Sequence, residues 1–136
     1  MTIFCLYSRS DGTTTITPVS LHDTGADPFR LAFPTGAGAT IMSGRKERQG
    51  EWHNTPMLAV TVVLEGQLSI ETNRRTSRVT ELGVGDVLLV LDRSGEGHRS
   101  RGHGPTGLTA LLLPLAESDV SALSALFRDW PADFAL

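Results

Sequence analysis

Short runs of β-prone residues, separated by glycine-containing turns, fill the chain between residues 39 and 115. Turns such as Glu65-Gly66 and Gly83-Val84-Gly85-Asp86 separate runs that recur roughly every 8–12 residues, the spacing of an antiparallel sandwich or barrel. The sequence therefore predicts an all-β fold. The predicted strands are Thr40–Gln49, Met57–Leu64, Gln67–Thr72, Arg78–Leu82, Val87–Leu91, His98–Arg101 and Leu108–Leu115.

The N-terminal part of the chain has a less regular pattern. Residues 1–35 combine two β-prone pieces, Ile3–Tyr7 and Thr13–Val19, with turn residues such as Pro34. We expect an N-terminal extension of one or two edge strands followed by a loop. Because 136 residues is the size of one ordinary domain, the extension, the barrel at 39–115 and the tail are predicted to form a single unit.

The C-terminal tail predicts a short α-helix over residues 118–130. Ser118 is a suitable N-cap, and Pro131 would end the helix. Four apolar residues between these limits fall at helical spacing: Val120, Leu123, Phe127 and Trp130. We expect this helix to pack on the outside of the barrel or across a dimer seam.

Charge and composition narrow the classes of partner. The net charge is −3 and the basic residues are scattered, whereas a domain that binds nucleic acid usually has a basic excess on one face. The longest apolar runs, Leu58–Leu64 and Leu108–Leu115, are far shorter than the ~20 residues that cross a bilayer. The N-terminus lacks a secretory pattern, and the lone Cys5 cannot form an internal disulfide. We expect a cytoplasmic protein with no nucleic-acid or membrane partner.

Four short segments carry a family pattern: Trp52-His53, Val62–Gly66, Gly85–Leu89 and Gly97–Arg99. Together they resemble the cupin superfamily, and more closely its small single-domain bacterial members. The resemblance implies a double-stranded β-helix, or jelly-roll barrel, with a pocket between its sheets and frequent dimerisation. The expectation for this chain is a homodimer that takes a small organic substrate.

The cupin metal-ligand pattern is only partly kept. Aligning the glycine of the first cupin motif with Gly66 places its two histidines at His53 and Thr55 and its glutamate at Ala59. His98 matches the histidine of the second motif, so two of the four implied ligands remain. A metal needs three or more protein ligands to be held well, and alanine makes room for substrate instead. We expect no cofactor, with a divalent metal (Fe, Mn, Ni or Zn) on the two histidines as the alternative.

Strand alternation predicts which side chains share a face, because successive residues of a strand point to opposite faces. The cupin resemblance implies which face turns into the barrel. The set on that face is His53, Thr55, Ala59, Thr61 and Val63 from one strand, with His98 and Ser100 from a facing strand.

Three further residues are candidate substrate-binding groups. Trp52 either lines the pocket mouth or is a structural aromatic. Arg45 and Glu47 share a strand face. If that face looks inward they anchor substrate charges, and if it looks outward they form an ordinary solvated pair.

The first functional hypothesis is an enzyme that acts on a small molecule without redox chemistry. Histidine titrates near cellular pH, so His53 or His98 in a partly apolar cavity suits proton transfer. The cupin resemblance implies isomerase, cyclase or lyase chemistry in specialised metabolism. A metal-dependent cupin dioxygenase and a non-catalytic ligand-binding cupin are the alternatives. The sequence leaves open whether the glycine-rich segment Gly95–Gly107 is a mobile lid.

Overall fold

The structure is a computed structural model that describes residues 1–23, 25, 32, 38–44 and 50–136. A 3-10 turn at Glu117–Asp119 leads into the helix α1, Val120–Ser124. The β-strands are β1 (Ile3–Arg9), β2 (Thr14–Val19), β3 (Thr40–Gly44), β4 (Ala59–Glu65), β5 (Gln67–Thr72), β6 (Arg78–Leu82), β7 (Val87–Val90), β8 (Arg99–His103), β9 (Leu108–Pro114) and β10 (Phe134–Ala135).

The strands form two sheets. The larger sheet has the order β10-β1-β7-β4-β9-β3, with β2 also paired to β1, and the smaller has the order β6-β5-β8. Neighbouring strands are antiparallel except β1 and β7, which are parallel. No strand pairing within the described ranges joins the two sheets into a closed barrel. The all-β class predicted from the strand pattern is confirmed.

The larger sheet is covered on both faces. One face packs against α1 and the tail, in a core that includes Cys5, Leu89 and Leu123. The other face packs against the smaller sheet, in a core that includes Leu6 and Ile70. Burial on both faces explains why β7 is a continuous apolar run rather than an alternating one.

The first strand is internal, where the sequence predicted an N-terminal extension. Residues Ile3–Leu6 pair with β2 on one side and with β7 on the other. The side chains of Cys5 and Leu6 point to opposite faces, and both residues are fully buried. The N-terminal segment is therefore part of the larger sheet, and β1 is not an edge strand. The predicted loop that follows it falls mostly on residues outside the described ranges.

The C-terminal helix is shorter than the predicted span of 118–130, since α1 has five residues. Beyond α1 the backbone bonds to the end of β2 instead of continuing the helix. The N–H of His22 donates to the carbonyl of Leu126 at 3.1 Å, and the N–H of Arg128 donates to that of Ser20 at 3.0 Å. These long-range hydrogen bonds take the place of helical ones. None of the helical segments in the described ranges has the length and apolar character to cross a membrane.

Candidate functional site

A cavity of about 150 Å³ lies between the two sheets. Its wall is mostly apolar, with a polar arc of two histidines, two threonines and a serine. No lining residue from the described part of the chain is Asp, Glu, Lys or Arg. The wall is formed by Met42, His53, Thr55, Thr61, Leu68, Ile70, Leu88, Val90, His98, Ser100 and Leu112.

His98 forms the cavity wall just before β8 begins. The residue is 5% exposed, and its Nδ1 lies 2.6 Å from Oδ2 of Asp92, which is fully buried. Burial raises the pKa of Asp92, and the hydrogen bond to His98 opposes part of that rise.

The second carboxyl oxygen of Asp92 is buried without a partner. Its Oδ1 is a buried side-chain oxygen that accepts no hydrogen bond from the described residues. Such an acceptor costs roughly 1–3 kcal/mol of desolvation, and more when it is charged. The orphaned oxygen gives the raised pKa its physical cause, because half of the carboxylate has lost water and gained no donor. His98 is thus the partner on which the ionised form depends.

His53 lies beside His98 and is exposed at the edge of the cavity. The two residues form an antiparallel bridge, with N–H···O distances of 2.8 and 2.9 Å, and their ring centroids are 4.6 Å apart. Nδ1 of His53 lies 2.8 Å from the carbonyl oxygen of Glu51. Because a carbonyl only accepts, Nδ1 is the donor, and Nε2 carries the lone pair in the neutral ring.

The structure brings together five of the predicted site residues on the cavity wall: His53, Thr55, Thr61, His98 and Ser100. The backbone places them as strand alternation predicts, since Thr61 faces the smaller sheet from β4 and Ser100 faces back from β8.

Two predicted pocket residues are buried but do not line this cavity. Ala59 is at the start of β4, paired with Val90. Val63 is part of the core between the sheets. The predicted substrate-anchoring residues Arg45 and Glu47 lie outside the described ranges.

Trp52 lies away from the cavity wall and contacts cations. The guanidinium carbons of Arg74 and Arg99 are 5.1 and 5.2 Å from its ring centroid. Nε of Arg99 is also 2.5 Å from Oε2 of Glu71, a buried carboxylate. Contacts of this kind hold an aromatic ring in place at the surface, which favours the structural interpretation of Trp52 over a place at the pocket mouth.

The glycine-rich segment is not a free loop. Its central part is β8, which pairs with β5 over the register Gln67↔His103 to Glu71↔Arg99. His103 belongs to the outer face of the smaller sheet, where its Nε2 lies 2.8 Å from Oγ of Ser69 and 3.2 Å from Oε2 of Glu81. It is therefore remote from the cavity and does not add a donor there.

Asp92 is a candidate site residue that the sequence analysis missed. It precedes Gly95 and Gly97, so it has the local pattern of a turn residue. Its burial depends on long-range contacts, among them the hydrogen bond from the N–H of Thr55 to its carbonyl oxygen, 3.1 Å. The available sequence clue was an acidic residue six positions before a candidate histidine.

The histidine pair supplies two of the donors that a metal site needs. Across the part of the chain that the structure describes, no three His, Cys, Asp or Glu side chains converge in a way that could hold a metal ion. The described residues therefore do not by themselves complete a metal centre, and we derive no step through a metal.

Comparisons with known protein families, with curated proteins and with solved structures found no match for this chain. The cavity is mostly apolar, and it brings one buried imidazole, that of His98, and one exposed imidazole, that of His53, to the same wall.

Proposed function

We propose that this chain is a small-molecule enzyme of cupin type that catalyses a non-redox proton transfer, as an isomerase, cyclase or lyase. The observation that carries the proposal is the position of His98, which lines an apolar cavity and has Nδ1 bound to a buried carboxyl group. An imidazole that is held by an acceptor and lines a mostly apolar cavity has the environment of a general acid–base group.

In this proposal His98 removes a proton from the bound molecule, and His53 is close enough to act on a neighbouring atom. The centroid distance of 4.6 Å places both rings against one small ligand. The hydroxyls of Thr61 and Ser100 orient its polar group, and the aliphatic wall contacts its apolar part. Thr55 contributes an acceptor, since its hydroxyl donates to the carbonyl of Met57 at 2.5 Å.

The cupin jelly roll is the fold part of the proposal. It is supported by the two-sheet, all-β architecture and by a cavity between the sheets that both histidine-bearing segments line. Fold alone would not assign a reaction, because one fold hosts many functions. The acid–base assignment therefore depends on the histidines and not on the resemblance.

Deuterium exchange tests the reaction class before the substrate is known. The protein is incubated in D₂O with a panel of small, uncharged, enolisable ketones, and deuterium uptake is followed by NMR. Wild type should accelerate exchange in at least one ketone, and His98→Gln should lower that rate by about 100-fold or more, the usual contribution of a general base. His103→Gln is the matched control, because that histidine lies on the outer face of the smaller sheet.

Two outcomes would contradict an enzyme. If no ketone exchanges faster than the uncatalysed rate, enolisation chemistry has no support. If exchange is unchanged in both His53→Ala and His98→Gln, neither histidine is the catalytic base. A ketone that raises the melting temperature but is recovered without deuterium would favour the ligand-binding cupin instead.

A metal-dependent cupin, such as a dioxygenase, is the second candidate, and one observation favours it. Both histidines have Nδ1 bound to an oxygen atom, from Glu51 or Asp92, and Nε2 of each has no hydrogen bond to a described residue. Metal-binding histidines commonly have this arrangement. Elemental analysis for iron, manganese, nickel and zinc should find one equivalent per chain in wild type if this candidate is right. His53→Ala and His98→Ala should both lose it.

A further inference from the structure

We propose that Asp92 is a positioning residue that keeps His98 in the Nδ1–H tautomer, so that Nε2 is a hydrogen-bond acceptor in the cavity wall. A ligand at this wall is then a small uncharged molecule that presents a donor, a hydroxyl or an acidic C–H, to Nε2. This inference rests on the cavity of the proposed function and names the class of molecule that it takes.

The geometry of the pair supports this tautomer. The contact joins Nδ1 to Oδ2 at 2.6 Å, just below the range of about 2.7–2.9 Å that charge-assisted N–H···O hydrogen bonds have. A carboxylate can only accept, so the hydrogen lies on Nδ1 and the neutral ring has its lone pair on Nε2. Among the described residues no hydrogen bond to Nε2 of His98 competes with a ligand there.

The backbone holds the pair in place from both sides. The N–H of Thr55 donates to the carbonyl oxygen of Asp92 at 3.1 Å, and His98 is fixed by two hydrogen bonds to His53. Both members are almost fully buried, which limits the number of other rotamers open to them. Asp92 is absent from the cavity wall, so it acts on a ligand through the imidazole and not by direct contact.

The cavity wall sets the rest of the ligand class. Its volume, about 150 Å³, is close to that of apolar cavities that take up benzene. Leu68, Ile70, Leu88 and Leu112 offer contact only to an apolar body. No charged group on the described wall would compensate an ionic ligand, so the uncharged form is favoured.

NMR of ¹⁵N-labelled protein tests the tautomer directly, since protonated and unprotonated imidazole nitrogens resonate far apart. In wild type above pH 8, His98 should show a protonated Nδ1 and an unprotonated Nε2. Asp92→Asn should weaken this preference, because an amide can also donate to Nδ1. Glu81→Gln, which removes the carboxylate beside His103, is the matched control and should leave the signals of His98 unchanged.

This measurement separates the inference from the proposed function, because it involves no turnover. A protonated Nε2 on His98 in wild type overturns the inference whether or not the protein is an enzyme. If wild type has a protonated Nδ1 on His98 but accelerates no deuterium exchange, the result contradicts the enzyme and still supports the positioning role of Asp92. The wild-type spectrum alone decides the tautomer, so the test stands even if Asp92→Asn does not fold.

Phenol and toluene test the ligand class, since they have similar shape and only phenol has a donor. Titrations followed by NMR should show phenol binding wild type about fivefold more tightly, the equivalent of one ordinary hydrogen bond. That preference should disappear in His98→Phe. Equal affinity for the two probes in wild type, or binding of neither, overturns the assignment of a donor-bearing ligand.

Discussion

Gly97 lies directly against the backbone carbonyl of His53. A Cβ built on this glycine would be 2.4 Å from the carbonyl oxygen and 2.7 Å from its carbon, and the residue has a φ of +74°. The close approach occurs where His53 and His98 exchange their two backbone hydrogen bonds. The pairing of the two histidines therefore requires a residue without a side chain at this position.

Gly97→Ala should accordingly destabilise the protein and separate the histidines. A left-handed alanine alone costs roughly 1–2 kcal/mol, and the contact with the His53 carbonyl adds to that cost. Gly85→Ala is the matched control, because Gly85 has a φ of +88° and nothing lies within 4 Å of the position that a Cβ would take there. Urea denaturation should show a larger loss of unfolding free energy for Gly97→Ala. Equal losses in the two variants would show that the backbone of His53 can move away from the added methyl group without a cost in free energy.

The buried carboxyl group makes stability depend on pH. Burial places the folded-state pKa of Asp92 above the value of about 3.9 in an unfolded chain. Folding then favours the protonated form, so this contribution is complete below about pH 3.9 and is lost as pH rises through the raised pKa. Relative to Asp92→Asn, wild type should lose unfolding free energy as pH rises from about 4 to 7. A difference that stays constant or reverses over this range would contradict the raised pKa.

Asp129 provides a control of opposite sign for that experiment. Its Oδ1 accepts the N–H of Ser20 at 2.6 Å, and this hydrogen bond lowers the pKa of Asp129. The stabilisation is present above the unfolded-state pKa and is lost as pH falls through the folded-state pKa. Wild type should therefore gain unfolding free energy relative to Asp129→Asn as pH rises to about 4, and the difference should stay constant from there to pH 7. The gain is small because the carboxylate is exposed.

Strand position and side-chain parity could be predicted from the sequence because both depend on local pattern. The predicted strand Met57–Leu64 is observed as Ala59–Glu65, and His98–Arg101 as Arg99–His103. Because side chains alternate along a strand, Thr61 and Ser100 each lie on the face of their strand that borders the cavity. These inferences need only the two-residue period of a strand and one buried face.

The features that sequence analysis missed depend on contacts between distant parts of the chain. Phe127 has the helical spacing of the tail, yet it lies beyond α1 and forms a bridge with Leu21. Asp92 has the local character of a turn residue, and it is buried because Thr55 and His98 bond to it. Periodicity contains no information on such partners, so neither the helix end nor the buried carboxyl group could be read from it.

Two adjacent leucines of β7 distinguish the cavity from the core on the other side of the larger sheet. Leu88 and Leu89 are neighbours in β7, are 2% and 0% exposed, and point to opposite faces of the larger sheet. Leu88 lines the cavity, whereas Leu89 belongs to the core beneath α1. Changing either residue to alanine removes the same atoms and should cost about 2–5 kcal/mol of unfolding free energy.

Only Leu88→Ala should alter what the cavity accepts. The space that it opens joins the cavity, so p-cresol should gain affinity relative to phenol by about fivefold, the contribution of burying roughly one added methyl group. Leu89→Ala opens space on the far side of the sheet and should leave the ratio of the two affinities at its wild-type value. NMR titration of both variants measures this ratio. If it changes equally in both, Leu88 does not bound a separate ligand site, and the donor-bearing molecule proposed for His98 must bind elsewhere.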